Sequence, residues 1–382
     1  MNIVIAIDSF KGSLTSLEAG QALAGGIARA LPSASICVRT LADGGEGTVE
    51  ALVSGMDGAF HQVTVTGPLG DPVTCTYGII EKKRTAILEM AGAAGLTLIP
   101  EAKRNPMLAT TFGVGEVILD AMRKGCRRFL VGIGGSATND GGVGMLQALG
   151  FEFLDGQGDP ILPGAQGLKD LKKISNRHVP KELAECEFRI ACDVTNPLCG
   201  KEGCSAVFGP QKGASAQMIS QMDHWLKEYA RLAAETFPKA DPFQAGTGAA
   251  GGMGFAFLTF TNGVLEPGIQ LIQEETDLEK DICKANLVIT GEGRLDGQTI
   301  MGKAPVGVAA LAKKWKKPVI AFAGSITPQA VLCNFHGIDA FFPVLREVTS
   351  LEEAMEPDRA KRNLADSAEQ IFRLLRCNIR IS

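Results

Sequence analysis

Charged and polar side chains follow several short apolar runs of the sequence, at the point where each run ends. The runs IVIAIDSF from Ile3 and LVITGEG from Leu287 are examples, and such unalternated β-branched runs suit strands buried on both faces of a parallel sheet. Ligands bind outside the carboxyl ends of such strands. The candidate residues at these ends are Asp8, Ser9, Lys11, Asp43, Gly44, Gly45, Asp193, Glu292, Arg294 and Asp296. Phosphoryl transfer needs this mixture of carboxylates, which hold Mg²⁺ or accept a proton, and cations, which stabilise the moving group.

A glycine-rich segment, GIGGSATNDGGVG from Gly132 to Gly144, offers a second kind of site. It follows a predicted strand and precedes the apolar pattern of a short helix. Bare backbone N–H groups at the start of a helix form a cradle for anions. The residues predicted to bind a phosphate or another anionic group are Gly134, Gly135, Ser136, Thr138, Asn139 and Asp140. The alternative is that the glycines serve tight packing between the loop and the helix.

Two familiar phosphate motifs are present only in part. The segment GQTIMGKA, Gly297 to Ala304, has the spacing of a P-loop, but Ala304 stands where a P-loop needs Ser or Thr to hold magnesium. This excludes a P-loop kinase and leaves Lys303 as a candidate contact to a phosphate. GTGAAG, residues 246–251, has the spacing of a dinucleotide fingerprint, but no strand precedes it. We therefore predict a glycine-rich turn there and disfavour an NAD-dependent dehydrogenase.

Helical patterns alternate with the strand patterns near both ends of the chain. Thr15 and Glu18 have the spacing of a capping box before a helix with a 3.6-residue apolar period. A second helix is predicted with Thr111 as its cap and Gly125 as its stop. The segment that begins HQVTVTGPLGDPV at His61 instead alternates polar and apolar residues around turn signals, which predicts antiparallel strands with one solvent-facing side.

These patterns predict an α/β protein of two domains, since 382 residues are many for a single core. Residues 1–65 plus 285–382 are expected to form a discontinuous domain with a parallel sheet. Residues 66–284 are expected to form an inserted second domain of mixed α/β structure. The predicted strand at 129–133 fits either domain.

Composition excludes several classes of function. The chain is 45% hydrophobic and 21% charged with a net charge of −4, which argues against a nucleic-acid-binding surface. Its ten cysteines form no CxxC pair and its four histidines no HExxH motif, so zinc sites and histidine-based chemistry are disfavoured. The first residues lack the pattern of a signal peptide, and no apolar run is long enough to cross a membrane. We expect a cytoplasmic protein with no membrane partner.

Taken together, the motifs resemble those of the bacterial type I glycerate kinases. The resemblance extends in order to about residue 325 and rests on IDSFKGSLTS, LADGGEGTVEAL, GIGGSATNDGGVGMLQALG, CDVTNPLCG with VFGPQKGA, GAAGGMG, and LVITGEGRLDGQT with GKAPVGVA. It implies a discontinuous Rossmann/flavodoxin-like domain with a second domain inserted. It also implies phosphorylation of glycerate by ATP with Mg²⁺. The oligomeric state is left open, with a homo-oligomer as one alternative.

The resemblance implies roles for the charged residues at the strand ends. Lys11 and Arg294 are expected to bind the glycerate carboxylate or the transferring phosphoryl group, while Ser9 and Asp43 contact substrate hydroxyls. The full substrate-binding set is Asp8, Ser9, Asp43, Gly44 and Gly45. The glycine-rich segment is expected to hold an anionic group of either the nucleotide or the substrate.

Three further carboxylates are candidates for the base and the metal site. Asp193 is the expected general base, although it could instead form a turn before Asn196-Pro197. Glu292 and Asp296 are the expected magnesium ligands or alternative bases. The expected product is 2-phosphoglycerate, with 3-phosphoglycerate or a related phosphorylated hydroxy acid as alternatives. A non-catalytic sugar-acid sensor is the rival reading outside enzymes, and it would not need so many carboxylates.

Overall fold

Strands and helices alternate along most of the chain in the computed structural model, which describes residues 1–42, 44–45 and 47–377. The strands are β1 (Asn2–Ile7), β2 (Ser35–Thr40), β3 (Ala59–Thr66), β4 (Pro72–Ile80), β5 (Thr85–Glu89), β6 (Arg128–Gly132), β7 (Glu152–Leu154), β8 (Lys173–Ser175), β9 (Glu187–Ala191), β10 (Gly263–Glu266), β11 (Leu287–Leu295), β12 (Val319–Ile326) and β13 (Ala340–Pro343). The α-helices are α1 (Ser16–Ala30), α2 (Thr48–Gly55), α3 (Ala91–Ala94), α4 (Phe112–Arg123), α5 (Val143–Ala148), α6 (Cys204–Phe208), α7 (Ala216–Ala234), α8 (Ala249–Phe260), α9 (Gly268–Glu275), α10 (Leu278–Lys284), α11 (Ala304–Lys314), α12 (Leu332–Phe335), α13 (Leu351–Met355) and α14 (Pro357–Leu375). Short 3₁₀ helices lie at Glu81–Lys83, Leu96–Leu98, Glu101–Lys103, Ala165–Asp170, Lys181–Glu185, Pro210–Lys212, Thr299–Met301 and Pro328–Val331.

The chain divides into two compact units. The first unit comprises Met1–Asp43, Glu50–Met56 and Ile269–Ser382, and the second comprises Gly44–Val49 and Asp57–Gly268. The predicted junctions at 65/66 and 284/285 differ from this division. Strand β3 belongs to the second unit because it pairs with β4 along its whole length, and α9 and α10 belong to the first. The strand predicted at 129–133 is β6 and lies in the second unit.

The first unit is built on a parallel sheet with the strand order β2-β1-β11-β12-β13. Numbered within the unit, this order is 2-1-3-4-5, which is the flavodoxin-like arrangement. The predicted α/β class, with a parallel sheet and a second mixed sheet, is thereby confirmed. The strand order reverses between β1 and β11, and ligands of such sheets bind at the carboxyl ends of the strands at this point.

Helix α1 begins and packs as its sequence requires. The Thr15 hydroxyl accepts a hydrogen bond from the Glu18 amide, and the Glu18 carboxylate accepts one from the Thr15 amide, so the predicted capping box is confirmed. The buried face carries Leu23 and Ile27. Helix α14 approaches so closely that a Cβ atom on Gly26 would lie 1.9 Å from the Ala365 carbonyl oxygen. Glycine at this position lets the two helices cover one face of the sheet together.

The second unit contains a mixed sheet with the order β10-β9-β6-β5-β4-β3. Strands β10, β9, β6 and β5 are parallel, while β5, β4 and β3 form the antiparallel part that the alternating sequence predicts. Phe129 and Phe188 stack between neighbouring parallel strands with their ring centroids 4.8 Å apart. Strands β7 and β8 form a separate two-stranded antiparallel sheet. The carboxyl ends of β6 and β9 carry the glycine-rich segment and Asp193, respectively.

Two further properties concern the cysteines and the helices of the described residues. All ten cysteines are free thiols, six of them buried, so disulfides contribute nothing to this fold. No helix in the described ranges is both long enough and apolar enough to cross a lipid bilayer.

Candidate functional site

A cavity of about 370 Å³ opens in the first unit at the carboxyl ends of β1 and β11. This is the place where the strand order reverses. Charged and polar side chains that the sequence singled out line one part of it. They are Asp8, Ser9, Lys11, Glu292, Arg294, Asp296 and Lys303. Residues nearly three hundred positions apart thus meet because β1 and β11 are neighbouring strands.

The segment after β1 holds its side chains in a tight turn. Asp8 is buried, and its carboxylate accepts a hydrogen bond of 2.7 Å from the Ser9 amide. The chain then turns from Phe10 to Leu14 through two hydrogen bonds to the Phe10 carbonyl. This turn places Lys11 at an exposed position on the cavity wall.

Glu292 is a buried carboxylate inside β11, and 8% of the residue is exposed. Its Oε1 accepts a hydrogen bond of 2.6 Å from the Thr299 hydroxyl, and its Oε2 lies 3.8 Å from the Lys303 ammonium nitrogen. Burial raises the pKa of Glu292, while the Thr299 hydrogen bond and the positive charges of Lys303 and Lys11 oppose that rise. A carboxylate with a raised pKa, a cation beside it and a cavity in front of it is typical of a functional position.

Arg294 and Asp296 form a looser pair at the cavity rim. The Arg294 Nε atom lies 3.5 Å from Asp296 Oδ2, and 65% of the Arg294 side chain is exposed. The other oxygen of Asp296 accepts the Gln298 amide. An exposed guanidinium held by one long contact can turn towards an anionic ligand at little cost, because such surface pairs are weak.

The carboxylates of this cavity fit a magnesium ion that is shared with a nucleotide. The described part of the chain contains no cluster of three His, Cys, Asp or Glu side chains with metal-binding geometry. Mg²⁺ in kinases is held by one or two carboxylates together with phosphate oxygens and water, so a full protein cage is not required. Glu292 and Asp296 line the same cavity and supply that number of carboxylates.

An apolar wall of the cavity comes from the last part of the chain. It is formed by Val344, Leu345, Leu351, Ala354, Met355 and Leu364, from β13 through α14. Met355 reaches the turn after β1, where a Cβ on Gly12 would lie 2.7 Å from its terminal methyl group. Sequence analysis missed this wall because the segment carries no motif. Its only signal is the amphipathic pattern of α14, which predicts packing and says nothing of a ligand.

The glycines of the segment 132–144 are explained largely by close packing. Cβ atoms on Gly132 and Gly134 would lie 2.6 Å from the Gly44 carbonyl oxygen and 2.8 Å from the Gly45 Cα atom. A Cβ on Gly142 would lie 2.4 Å from the Ala256 methyl group. The alternative interpretation, tight packing, therefore accounts for these glycines. The predicted substrate-binding pair Gly44 and Gly45 lies against this loop within the second unit, whereas Asp43 lies outside the described residues.

Three side chains predicted to bind an anion instead point into the protein. Thr138, Asn139 and Asp140 are almost completely buried. The Asn139 amide donates to the Ser205 hydroxyl at 2.8 Å. The Thr138 hydroxyl and the Asn139 carbonyl oxygen have no hydrogen-bond partner among the described residues, and the contact of these three residues with an anionic group stays a prediction. The accessible part of the loop is the turn at 134–135, in which Gly134 is half-buried and Gly135 is exposed with a φ of 72°, while Ser136 lies just beneath it.

Asp140 organises the loop from inside. One oxygen of its carboxylate accepts the Thr111 amide and hydroxyl, both at 2.8 Å, and the Gly144 amide at 3.2 Å. The other oxygen accepts the Gly142 amide at 3.1 Å. Thr111 precedes α4 as predicted, but its hydroxyl serves Asp140 and makes no capping bond. Burial raises the pKa of Asp140, and these donors oppose the rise.

Replacing Asp140 by Asn is expected to lower the free energy of unfolding by about 1–3 kcal/mol, because the amide group cannot accept all four hydrogen bonds. Urea denaturation followed by circular dichroism measures the loss. Asp155→Asn is the matched control, since Asp155 also accepts two backbone amides but lies in an exposed turn. Equal stability of the two variants would contradict a structural role for Asp140.

Asp193 follows β9 at an exposed position, as the strand pattern predicts. Its Oδ1 accepts a hydrogen bond of 2.9 Å from the Gly268 amide. This bond fixes the carboxylate at the end of the strand and leaves it at the surface of the second unit. The position is compatible with a base, and its role stays a prediction.

Lys212 is the charged residue that sequence analysis missed. Only 2% of it is exposed, and its ammonium group donates to the Ser136 hydroxyl at 2.9 Å and to the Thr138 carbonyl at 2.6 Å. Burial lowers its pKa to about 8. The motif VFGPQKGA contains this residue, but a lysine between glycines gives no sign in the sequence of whether it is buried.

Comparison with known proteins finds similar sequences over nearly the whole chain. A model of the glycerate kinase family matches residues 3–376. A glycerate kinase of Haemophilus influenzae is 46% identical over 375 residues, which cover 98% of this chain and 99% of that protein. A glycerate 2-kinase of Escherichia coli K12 is 46% identical over 370 residues, 96% of this chain and 97% of that protein.

A solved structure agrees with the fold as closely. The crystal structure assigned as glycerate kinase 2 from Salmonella typhimurium LT2 has a TM-score of 0.88, is 47% identical and covers 98% of both chains. The family model, the two relatives and this structure all extend over the full α/β architecture described above. The chain therefore belongs to the glycerate kinase family.

Proposed function

We propose that this ATP-dependent phosphotransferase moves the γ-phosphoryl group of ATP, with Mg²⁺, to the 2-hydroxyl of D-glycerate, giving 2-phosphoglycerate and ADP. The observation that carries the proposal is the family match over residues 3–376. The choice of the 2-hydroxyl is supported by the Escherichia coli relative, which is a glycerate 2-kinase. The charged cavity of the first unit supplies the groups that this chemistry needs.

The nucleotide is placed in the cavity of the first unit. A volume of about 370 Å³ lies in the range of sites for drug-sized ligands and is large for a three-carbon acid alone. The apolar wall, with Leu351 and Met355, offers a surface for the base. The charged residues of the same cavity can pair with triphosphate oxygens and their magnesium ion. A ligand with an apolar part and an anionic part matches this lining.

The cations of the cavity are assigned to the phosphate chain. The cavity is lined by Lys11, Arg294 and Lys303, and each of these side chains can donate hydrogen bonds to phosphate oxygens. Glu292 and Asp296 would hold Mg²⁺, which neutralises charge on the phosphate oxygens when it is bound. In our proposal Glu292 is ionised in that state, because a metal ion beside a carboxylate opposes the effect of burial.

Asp193 is assigned as the base that accepts the proton of the glycerate hydroxyl. Its carboxylate is exposed and held in place by the Gly268 amide. The turn 134–136, in which Gly135 is exposed, and the glycines at 44–45, which lie against the same loop, are assigned to the acid substrate. Asp8 and Ser9, at the end of β1, are assigned to the substrate, as the sequence predicts.

The identity of the phosphorylated product tests the proposed reaction. Incubation of the protein with MgATP and D-glycerate, followed by ³¹P NMR, is expected to show ADP and 2-phosphoglycerate growing together. A 3-phosphoglycerate resonance would keep the kinase and overturn the assigned hydroxyl. Release of ADP without a phosphorylated acid would overturn glycerate as the acceptor. Omission of Mg²⁺ is expected to abolish both products, because the two carboxylates of the cavity would then face the triphosphate without a cation between them.

A further inference from the structure

A buried ammonium group lies directly behind the accessible turn of the glycine-rich loop. Lys212 donates to the Ser136 hydroxyl and to the Thr138 carbonyl, so it contacts the loop on both sides of Ala137. Both contacts lie within the second unit. The exposed Gly135 precedes Ser136 and forms the outer surface of the same turn.

The contact with Lys212 determines where the proton of Ser136 can point. A hydroxyl group donates one hydrogen bond, and an ammonium group has no acceptor. Because Lys212 donates to the Ser136 oxygen, the Ser136 proton must point elsewhere. Among the residues that the structure describes, no group accepts a hydrogen bond from Ser136. Ser136 is buried, with 8% of the residue exposed, and it directly follows the exposed Gly135, so its hydroxyl lies just beneath the surface of the turn.

Burial of the Lys212 ammonium group carries a desolvation penalty. A buried charge lowers the stability of the fold unless it is paired well, and a methionine would fill similar space without that loss. The titratable groups that face Lys212 are the Cys204 thiol of α6 and the Asp140 carboxylate inside the loop. Burial raises the pKa of Cys204 to about 11, so this thiol stays neutral at neutral pH. The charge of Lys212 therefore adds to the positive potential of the turn.

We propose that Lys212 is a positioning residue, which aims the Ser136 hydroxyl outward and adds positive charge, so that the turn 134–136 binds an anionic oxygen of a substrate. The ligand chemistry is a carboxylate or phosphate oxygen, and the carboxylate of the acid substrate is the assigned source. This inference rests on the function proposed above. It assigns to Lys212 and Ser136 a task that packing alone does not explain.

Steady-state kinetics of Lys212→Met and Ser136→Ala test the proposal. Each variant is expected to raise the KM for D-glycerate about 10- to 100-fold while the KM for ATP changes less than about 2-fold, because one oriented donor to a charged group is lost. Lys212→Arg is expected to recover part of the affinity. Lys201→Met, which removes an exposed lysine from the same unit, is the matched control and should leave both constants unchanged.

The pH dependence separates positioning from simple packing. Burial lowers the pKa of Lys212 to about 8, so the group is charged below that pH and loses its proton above it. The KM for D-glycerate of the unmodified protein should therefore rise between pH 7 and pH 9. Lys212→Met should show no such rise. An identical pH profile in the two proteins would overturn the proposal, even if the variant bound its substrate weakly.

Equilibrium titrations distinguish the role of the turn from the function proposed above. Binding of D-glycerate and of MgADP to each folded variant is measured without turnover. Loss of affinity for MgADP alone would overturn the carboxylate as the source and assign a nucleotide phosphate to the turn. Unchanged affinity for both ligands in Ser136→Ala would overturn the inference, and this variant removes too little to prevent folding. If the unmodified protein failed to phosphorylate glycerate, the proposed function would fall, whereas these titrations would still decide the role of the turn.

Discussion

Lys11→Met is expected to lower kcat by about 10²- to 10³-fold, the usual loss when one group that stabilises transition-state charge is removed. Lys11 stands on the cavity wall with Arg294 and Lys303, beside the buried carboxylate of Glu292. Its ammonium group is placed there by the tight turn after β1. Methionine keeps most of the length of the side chain and removes its charge and its hydrogen-bond donors. A coupled assay of ADP release at saturating glycerate and ATP measures the change.

Separate controls show whether the Lys11→Met substitution changes the fold or the binding of ATP instead of the catalytic step. Lys280→Met removes an exposed lysine of the first unit, and its kcat should be unchanged because surface ion pairs such as that with Asp277 contribute little. The thermal midpoint of Lys11→Met should stay close to that of the unmodified protein, since Lys11 is exposed. A Lys11→Met variant with normal kcat and a raised KM for ATP would show that Lys11 binds the phosphate equally well in the ground state and the transition state, and would contradict a specific role in stabilising the transition state.

The fold could be predicted well where the determinants are local. The capping box of α1 and the apolar run of β1 are read within a few residues, and both lie where the sequence predicts them. The antiparallel β3–β4 pair is equally local, because its alternation and turn are continuous in sequence. The unit junction was harder to predict. Strand β3 joins the second unit through its pairing with β4, whereas the predicted junction at 65/66 separates most of β3 from its partner.

The residues of the site could be predicted where they follow the ends of parallel strands. Asp8, Lys11 and Glu292 meet at one cavity because parallel strands present their carboxyl ends at the same edge. The apolar wall from Leu351 to Leu364 could not be found in this way, since its place depends on how α13 and α14 pack.

The glycine-rich loop shows the limit of reading a motif by composition. Glycine is required equally by a nearby phosphate and by a nearby backbone, and here the Gly44 backbone fills the space at Gly132. Asp140 looks like a ligand-binding acid in sequence but accepts hydrogen bonds from its own loop and from Thr111. The cation that completes the loop, Lys212, comes from a 3₁₀ helix more than seventy residues later in the chain. Only the tertiary structure distinguishes these possibilities.

Asp193→Asn is expected to lower kcat by about 10²- to 10⁴-fold if its carboxylate accepts the proton of the glycerate hydroxyl, the usual contribution of a positioned base. The amide oxygen of asparagine can still accept the Gly268 amide, so the strand end should keep its conformation. The loss should therefore appear in kcat, with the KM for ATP nearly unchanged. Rapid-quench measurement of phosphorylated acid in a single turnover separates this chemical step from product release.

The matched control for this variant is Asp241→Asn. Asp241 is also exposed, lies in the second unit and accepts one backbone amide, from Phe243, so the substitution changes the same atoms in a similar setting. Its kcat should equal that of the unmodified protein. Near-normal single-turnover rates in Asp193→Asn would exclude Asp193 as the base, and Asp296→Asn would then be the variant to lose the chemical step. Asp296 lies in the cavity with Arg294 and Lys303, so its carboxylate would be the remaining candidate to take the proton beside the phosphate-binding cations.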